Sequence, residues 1–203
     1  MTYAIEARDL YYTYEDGTVA LDHISFRAER GKMTGILGAN GAGKSTLFLN
    51  LNGVLTPAGG EVRVDGVPVT YDRKGLISVR KQVGIVFQDP DDQLFSADVY
   101  RDISFGGVNL GLPEEEVRRR VDEAMEWTGV THLKGKPTHA LSFGQKKRVA
   151  IAGVLVMEPS VVILDEPTAG LDPQGVSDIM RLLAELRGRL GMTTVSYTHL
   201  TLP

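Results

Sequence analysis

Apolar and polar positions divide the chain into three regions. From Tyr3 the run YAIEARDLYYTY alternates, is dense in tyrosine and stops at the turn-forming EDGT, the pattern of a half-buried strand and its turn. KMTGILG is a short apolar strand that runs into glycines, and KSTLFLNLNGVL behind it reads as a helix. GGEVRVDGVPV is two short alternating runs joined by Asp65-Gly66, a hairpin signal. After residue 88 the period becomes helical. In LPEEEVRRRVDEAMEWTGV, Val117, Val121, Ala124 and Met125 share one face, with Pro113 at the start and Gly129 at the stop. The charged blocks at 114–116 and 118–120 predict a solvated face of that helix. The last third returns to mixed structure. SVVILDE is an unbroken apolar run, as in a strand buried on both faces, and it ends in two carboxylates. PQGVSDIMRLLAELRGRLG is amphipathic, with Pro173 at its start and Gly191 just past its end, and TTVSY reads as one more strand.

A strand-rich start, a helical middle and an α/β return predict one α/β domain with a helical subdomain. The core is expected over about residues 1–87 and 158–194, an antiparallel β-subdomain at its N-terminal end, and the helical subdomain over about 88–157. A chain of 203 residues, 42% hydrophobic and 24% charged, suits a single folded domain and excludes a disordered tail or a collagen-like fibre. The absence of cysteine excludes disulfide scaffolds, thiolate zinc sites and cysteine nucleophiles. With 22 Lys and Arg against 26 Asp and Glu, the basic excess of a nucleic-acid binder is missing, so no nucleic-acid partner is expected. His23, His132 and His139 are scattered, as surface histidines are. The longest apolar run, residues 149–157, is far short of the ~20 residues of a spanning helix. Residues 1–10 include Glu6, Arg8 and Asp9 and lack the apolar centre of a secretion signal. The expectation is a cytoplasmic chain that any membrane role would hold in place through a partner.

Chemistry enters with Gly38-Ala39-Asn40-Gly41-Ala42-Gly43-Lys44-Ser45-Thr46, which fits G-x-x-x-x-G-K-[ST] between a strand and a helix. Its glycines let main-chain N–H groups turn inward around phosphate oxygens, and the helix start adds its positive end. Lys44 is expected to reach the β- and γ-phosphates and the Ser45 hydroxyl to ligate Mg²⁺. Asp165 and Glu166 close the buried run VVIL at a sheet edge where ligands bind. Asp165 suits Mg²⁺; Glu166 suits a base acting on the attacking water. Together these motifs predict a nucleoside triphosphatase.

Leu141-Ser142-Phe143-Gly144-Gln145, followed by KKRVAIAGVLVMEP, resembles the LSGGQ signature of ATP-binding cassette (ABC) ATPases. The resemblance covers the chain to about Thr194 and implies a P-loop fold of ABC type. It implies that Ser142, Phe143, Gly144 and Gln145 close over ATP held by the opposite subunit of a dimer, a second copy or a paralogue. Phe143 departs from the commonest glycine there. By the same resemblance Tyr14 stacks on adenine, while Tyr11 and Tyr12 are left to packing. Gln88 is the Q-loop glutamine that touches Mg²⁺ and faces the membrane partner, Asp172 belongs to the D-loop at the dimer interface, and His199, 33 positions after Glu166, is in the register of the switch histidine. The stretch QDPDDQLF, residues 88–95, is similar to the Q-loop of energy-coupling-factor (ECF) and cobalt/nickel importers. That implies a prokaryotic uptake system for a metal ion or a vitamin. In it, two ATPase subunits at the cytoplasmic face drive a transmembrane coupling protein joined to a substrate-binding membrane subunit. Leu94 and Phe95 suit a loop packing against the coupling protein.

Two other classes compete. A soluble ABC protein of the ribosome or of DNA repair usually carries two cassettes or a long coiled coil, and neither is seen in this sequence; a regulatory cassette without turnover is disfavoured by the Asp165-Glu166 pair. The family pattern fails after the switch position, where the chain reads VSYTHLTLP. One back-translation, GTC-TCT-TAT-ACA-CAT-CTG-ACG-CTG-CCG, resembles a transposon-type sequencing adapter. Residues 195–203 are therefore expected to be read-through on a C-terminally truncated gene, the alternative being a native His199 followed by truncation; either leaves one sheet edge open and the isolated chain aggregation-prone or nearly inactive.

Overall fold

The computed structural model describes residues 2–39 and 41–197. Strands β1 (Tyr3–Thr13), β2 (Val19–Glu29), β4 (Gly59–Val64) and β5 (Val67–Pro68) form an antiparallel sheet in the order β2-β1-β4-β5. The β4–β5 hairpin turns where Asp65-Gly66 predicts it, with positive φ at both residues (51° and 78°) as a two-residue hairpin turn requires. A second sheet, parallel and ordered β3-β8-β7-β6, is built from β3 (Met33–Ile36), β6 (Val83–Val86), β7 (Val161–Asp165) and β8 (Thr193–Tyr197).

The unbroken apolar run of β7 follows from its position between two cores. Val161 and Ile163 face a cluster with β1, β4 and the helix α1 (Lys44–Leu51), while Val162 and Leu164 face a cluster of helices on the other side. Phe48 and Leu51, fully buried, fill the space between the two sheets from α1. The helical cluster is made by α3 (Val99–Asn109), α4 (Glu114–Thr128), α5 (Phe143–Leu155) and α6 (Pro173–Leu190). In α4 the predicted face Val117, Val121, Ala124 and Met125 is buried, and Gly129 ends the helix in the left-handed conformation. Helix α6 starts at Pro173 behind the Asp172 cap and ends at left-handed Gly191.

Two features depart from the sequence reading. Helices α2 (Arg73–Gln82) and α3 were not anticipated; each is announced by an aspartate cap, Asp72 accepting from Gly75 N–H and Asp98 from Arg101 N–H. The charged face of α4 is more than solvated surface. Arg120 is largely buried, donates to the Val156 carbonyl at 3.4 Å and pairs with Glu158 at 3.0 Å, tying α4 to the end of α5. Strand β8 covers the predicted run TTVSY, with Val195, Ser196 and Tyr197 buried in register between β3 and β7. Among the described residues β3 has β8 as its one strand neighbour, so its far edge is open.

Candidate active site

Two parallel strands and two helices bring the chemistry together. The chain leaves β3, turns through the glycine loop and enters α1 at Gly43, whose φ is 80°. A side chain at Gly43 would strain that backbone and would set its Cβ 2.2 Å from the Ala20 carbonyl, so only glycine fits this turn. Gly43 gives α1 no side-chain cap, and the helix starts without an internal acceptor over its first N–H groups. Those donors and the helix dipole face a cavity of about 500 Å³ lined by Tyr14, Gly41, Gly43, Lys44, Ser45, Thr46, Gln88, Glu166 and Tyr197. The Lys44 ammonium donates to the Gly38 carbonyl at 2.9 Å and to that of Ala39, and stands 4.0 Å from the centre of the Tyr197 ring. Ala42 lies in the same loop, its N–H donating to the Ala39 carbonyl.

The strand ends complete the site. Asp165, buried at the end of β7, accepts a hydrogen bond from the Ser45 hydroxyl at 2.9 Å, joining residues 120 positions apart. These are the two side chains expected to share Mg²⁺, and they meet. The donor set is hydroxyl and carboxylate oxygen, which suits a hard cation, with the Gln88 amide on the same cavity wall. Among the described residues no three His, Cys, Asp or Glu side chains cluster to hold a metal by themselves. The residues therefore fit an ion that arrives with phosphate oxygens. Glu166 follows directly and has a φ of 44°, a left-handed conformation that costs a residue with a Cβ about 1–2 kcal/mol. Tyr14 lines the cavity half-exposed, its hydroxyl 2.7 Å from that of Thr46, so its ring is held at the cavity wall.

The signature segment is a second helix start of another kind. Ser142 caps α5 with its hydroxyl accepting from Gln145 N–H at 3.4 Å, and the Gln145 side-chain oxygen accepts in return from Ser142 N–H at 3.0 Å. This capping box holds the Ser142 hydroxyl at the start of α5, where it accepts from Gln145 N–H. The pattern Ser-x-x-Gln before an apolar run was the signal for it. Phe143 stands against Gly170, where a Cβ would meet its ring at 2.9 Å. The replacement of the usual signature glycine is thus matched by the absence of a side chain opposite. Gly144 packs near Leu171. Asp172 caps α6, accepting from Gly175 N–H at 2.7 Å. Asn40 and His199 lie outside the described residues. Sequence reasoning also missed Lys147, a fully buried lysine in α5, and Tyr197 beneath Lys44.

A glycine loop between a strand and a helix, joined to a strand-end carboxylate, together with a capped signature helix in the helical part of the chain, defines an ATP-binding cassette ATPase. The ABC transporter family model matches residues 21–169. The chain is 61% identical over 197 residues to the "Energy-coupling factor transporter ATP-binding protein EcfA2" of Clostridium perfringens, covering 97% of this chain and 69% of that protein. It is 56% identical to the corresponding EcfA protein of Methanocaldococcus jannaschii over 97% of this chain and 70% of that one. In structure it matches cbiO1 of Clostridium perfringens, described as part of the ABC transporter complex cbiONQ, with a TM-score of 0.88 and 60% identity over 98% of this chain and 79% of that one. The chain belongs to the ABC transporter ATP-binding proteins, of the energy-coupling-factor (EcfA/CbiO) type.

Proposed function

We propose that the cavity between the glycine loop and the end of β7 binds ATP with Mg²⁺ and that Glu166 is its general base. The chain is the ATP-hydrolysing subunit of an ECF-type transporter that imports metal ions or vitamins. The observation that carries the assignment of roles is the Ser45–Asp165 hydrogen bond, because it brings the two oxygen ligands together beside Lys44 and Glu166. Ser45, Asp165 and Gln88 hold the ion, which when bound neutralises phosphate charge. Lys44 and the uncapped start of α1 face the negative charge that grows on the transferred phosphoryl group, and Glu166 orients and deprotonates water. Gly38, Asn40, Gly41, Ala42, Gly43 and Thr46 supply the loop around the phosphates, Tyr14 an adenine contact and His199 a γ-phosphate contact. Ser142, Phe143, Gly144 and Gln145, with Asp172, act on nucleotide held by a second subunit. Glu166→Gln should slow ATP turnover about 10²–10⁴-fold with ATP binding retained, read by steady-state hydrolysis and nucleotide titration. Unchanged turnover removes Glu166 from the role.

Among the described residues no helix is long and apolar enough to cross a membrane, so the membrane partners must be reached through a surface. We assign that surface to the groove of about 410 Å³ between α2, β6, α3 and α5, where exposed Phe95 stacks edge-on against Phe105 at 4.6 Å. Exposed aromatic rings beside Arg80 and Lys81 suit an amphipathic cytoplasmic helix of the transmembrane coupling protein, itself joined to a substrate-binding subunit. Residues 88–157 are the subdomain that moves with it, at the cytoplasmic face of the membrane. Phe95→Ala should weaken assembly with the coupling protein more than it weakens ATP binding. The reverse order overturns this assignment.

A further inference from the structure

Lys147 is 0% exposed and lies in the second turn of α5, on the same stripe as the buried Ile151 and Val154. An ammonium group held away from water is costly unless it is closely partnered. Here its Nζ donates to two main-chain carbonyls, that of Gln88 at 2.5 Å and that of Glu166 at 3.3 Å, and it stands 5.5 Å from the centre of the Phe143 ring. Burial pulls its pKa down while Asp89, Asp165 and Glu166 push it back up. Both acceptors belong to residues that line the nucleotide cavity, and one of them is the residue with the left-handed φ of 44°. A strained conformation persists only when its surroundings hold it.

We propose that Lys147 is a positioning residue for ATP hydrolysis, clamping the Glu166 and Gln88 peptides to the signature helix. A charge-assisted bond to the Glu166 carbonyl fixes the peptide from which the Glu166 carboxylate is aimed, and the second bond fixes the Q-loop in the same frame. Because the clamp starts five residues after Ser142, any shift of α5 relative to β7 is felt at Glu166 through one side chain. This inference rests on the reading of Glu166 as the general base.

The test measures kcat and KM for ATP in the full chain with Lys147→Met, Lys147→Arg, Glu166→Gln and the Lys147→Met/Glu166→Gln pair, alongside thermal unfolding. Methionine keeps much of the stem volume and removes the charge, so folding should survive while kcat falls about 10–100-fold and KM stays within about threefold. Lys147→Arg, which keeps the charge and several donors, should recover part of kcat; Lys147→Gln replaces either variant that does not fold. If Lys147 acts through Glu166, the double variant is no slower than Glu166→Gln alone. An unchanged kcat in Lys147→Met, multiplicative losses in the pair, or a loss explained wholly by a smaller folded fraction overturns the inference while leaving the Glu166 assignment in place. Normal turnover in Glu166→Gln overturns that assignment instead.

Discussion

The two glycine-bearing helix starts, of α1 and of α5, are built on opposite plans. At α1 the cap is Gly43, with no side chain to offer, and the first N–H groups open into the cavity. At α5 the cap is Ser142, and a reciprocal box with Gln145 engages the Ser142 and Gln145 N–H groups from within the chain. At α1 the donors are left for a ligand, and Lys44, Ser45 and Asp165 are gathered beside them. At α5 two of the N–H groups are engaged by the box, and the helix bears Phe143 and Lys147, whose ammonium reaches the Gln88 and Glu166 carbonyls.

The comparison breaks most readily at Gly43. Gly43→Ala puts a Cβ 2.2 Å from the Ala20 carbonyl at a φ of 80°. It should cost about 3 kcal/mol or more of stability and lower ATP affinity at least about 100-fold, by denaturant unfolding and nucleotide titration. A variant that binds ATP normally would mean the loop does not depend on this turn. Ser142→Ala is the counterpart at the capped end. It should cost about 1 kcal/mol, a fall of about 2–4 °C in Tm, and leave ATP affinity of the single chain within about twofold. A loss of affinity matching that of Gly43→Ala would erase the distinction between the two starts.

The smallest effect sharpens the contrast from outside the site. Arg119 and Arg120 donate to the Glu116 carboxylate and hold its pKa down at about 2, against an ordinary 4.5. A carboxylate with a lowered folded pKa contributes stability that is complete above pH 4.5 and is lost as pH falls towards about 2. Melting curves of the parent and Glu116→Gln should thus run parallel above about pH 5 and converge below it. The nucleotide cavity should be indifferent to Glu116→Gln at neutral pH, and a change in ATP affinity there would tie the two regions together.

Much of the site was legible because its chemistry is written locally. The loop Gly38–Lys44 needs residue types that few other structures need, and the run VVILDE declares both a buried strand and its acidic end. The α4 face, the Asp65-Gly66 turn and the caps at Pro173, Gly129 and Gly191 are likewise short-range patterns. Helix α2 escaped because its RKGLISVRKQ buries only Val79, leaving a weak apolar face to read. What no local pattern contains is which residues meet. Lys147 stands in the run KKRV among cations that look alike; burial follows only once α5 packs under Gln88 and Glu166. Tyr197 reads as an ordinary strand residue until the order β3-β8-β7 sets it beneath Lys44. Ser45 and Asp165 are identifiable separately, and it is the parallel sheet that brings them to 2.9 Å. The sequence by itself determined most of the elements, though not α2 and α3, and the residue types of the site, since those depend on period and backbone freedom over a few positions. The tertiary structure alone decided the burial of Lys147 and the pairing across the site, because desolvation and hydrogen bonding depend on neighbours far away in the chain.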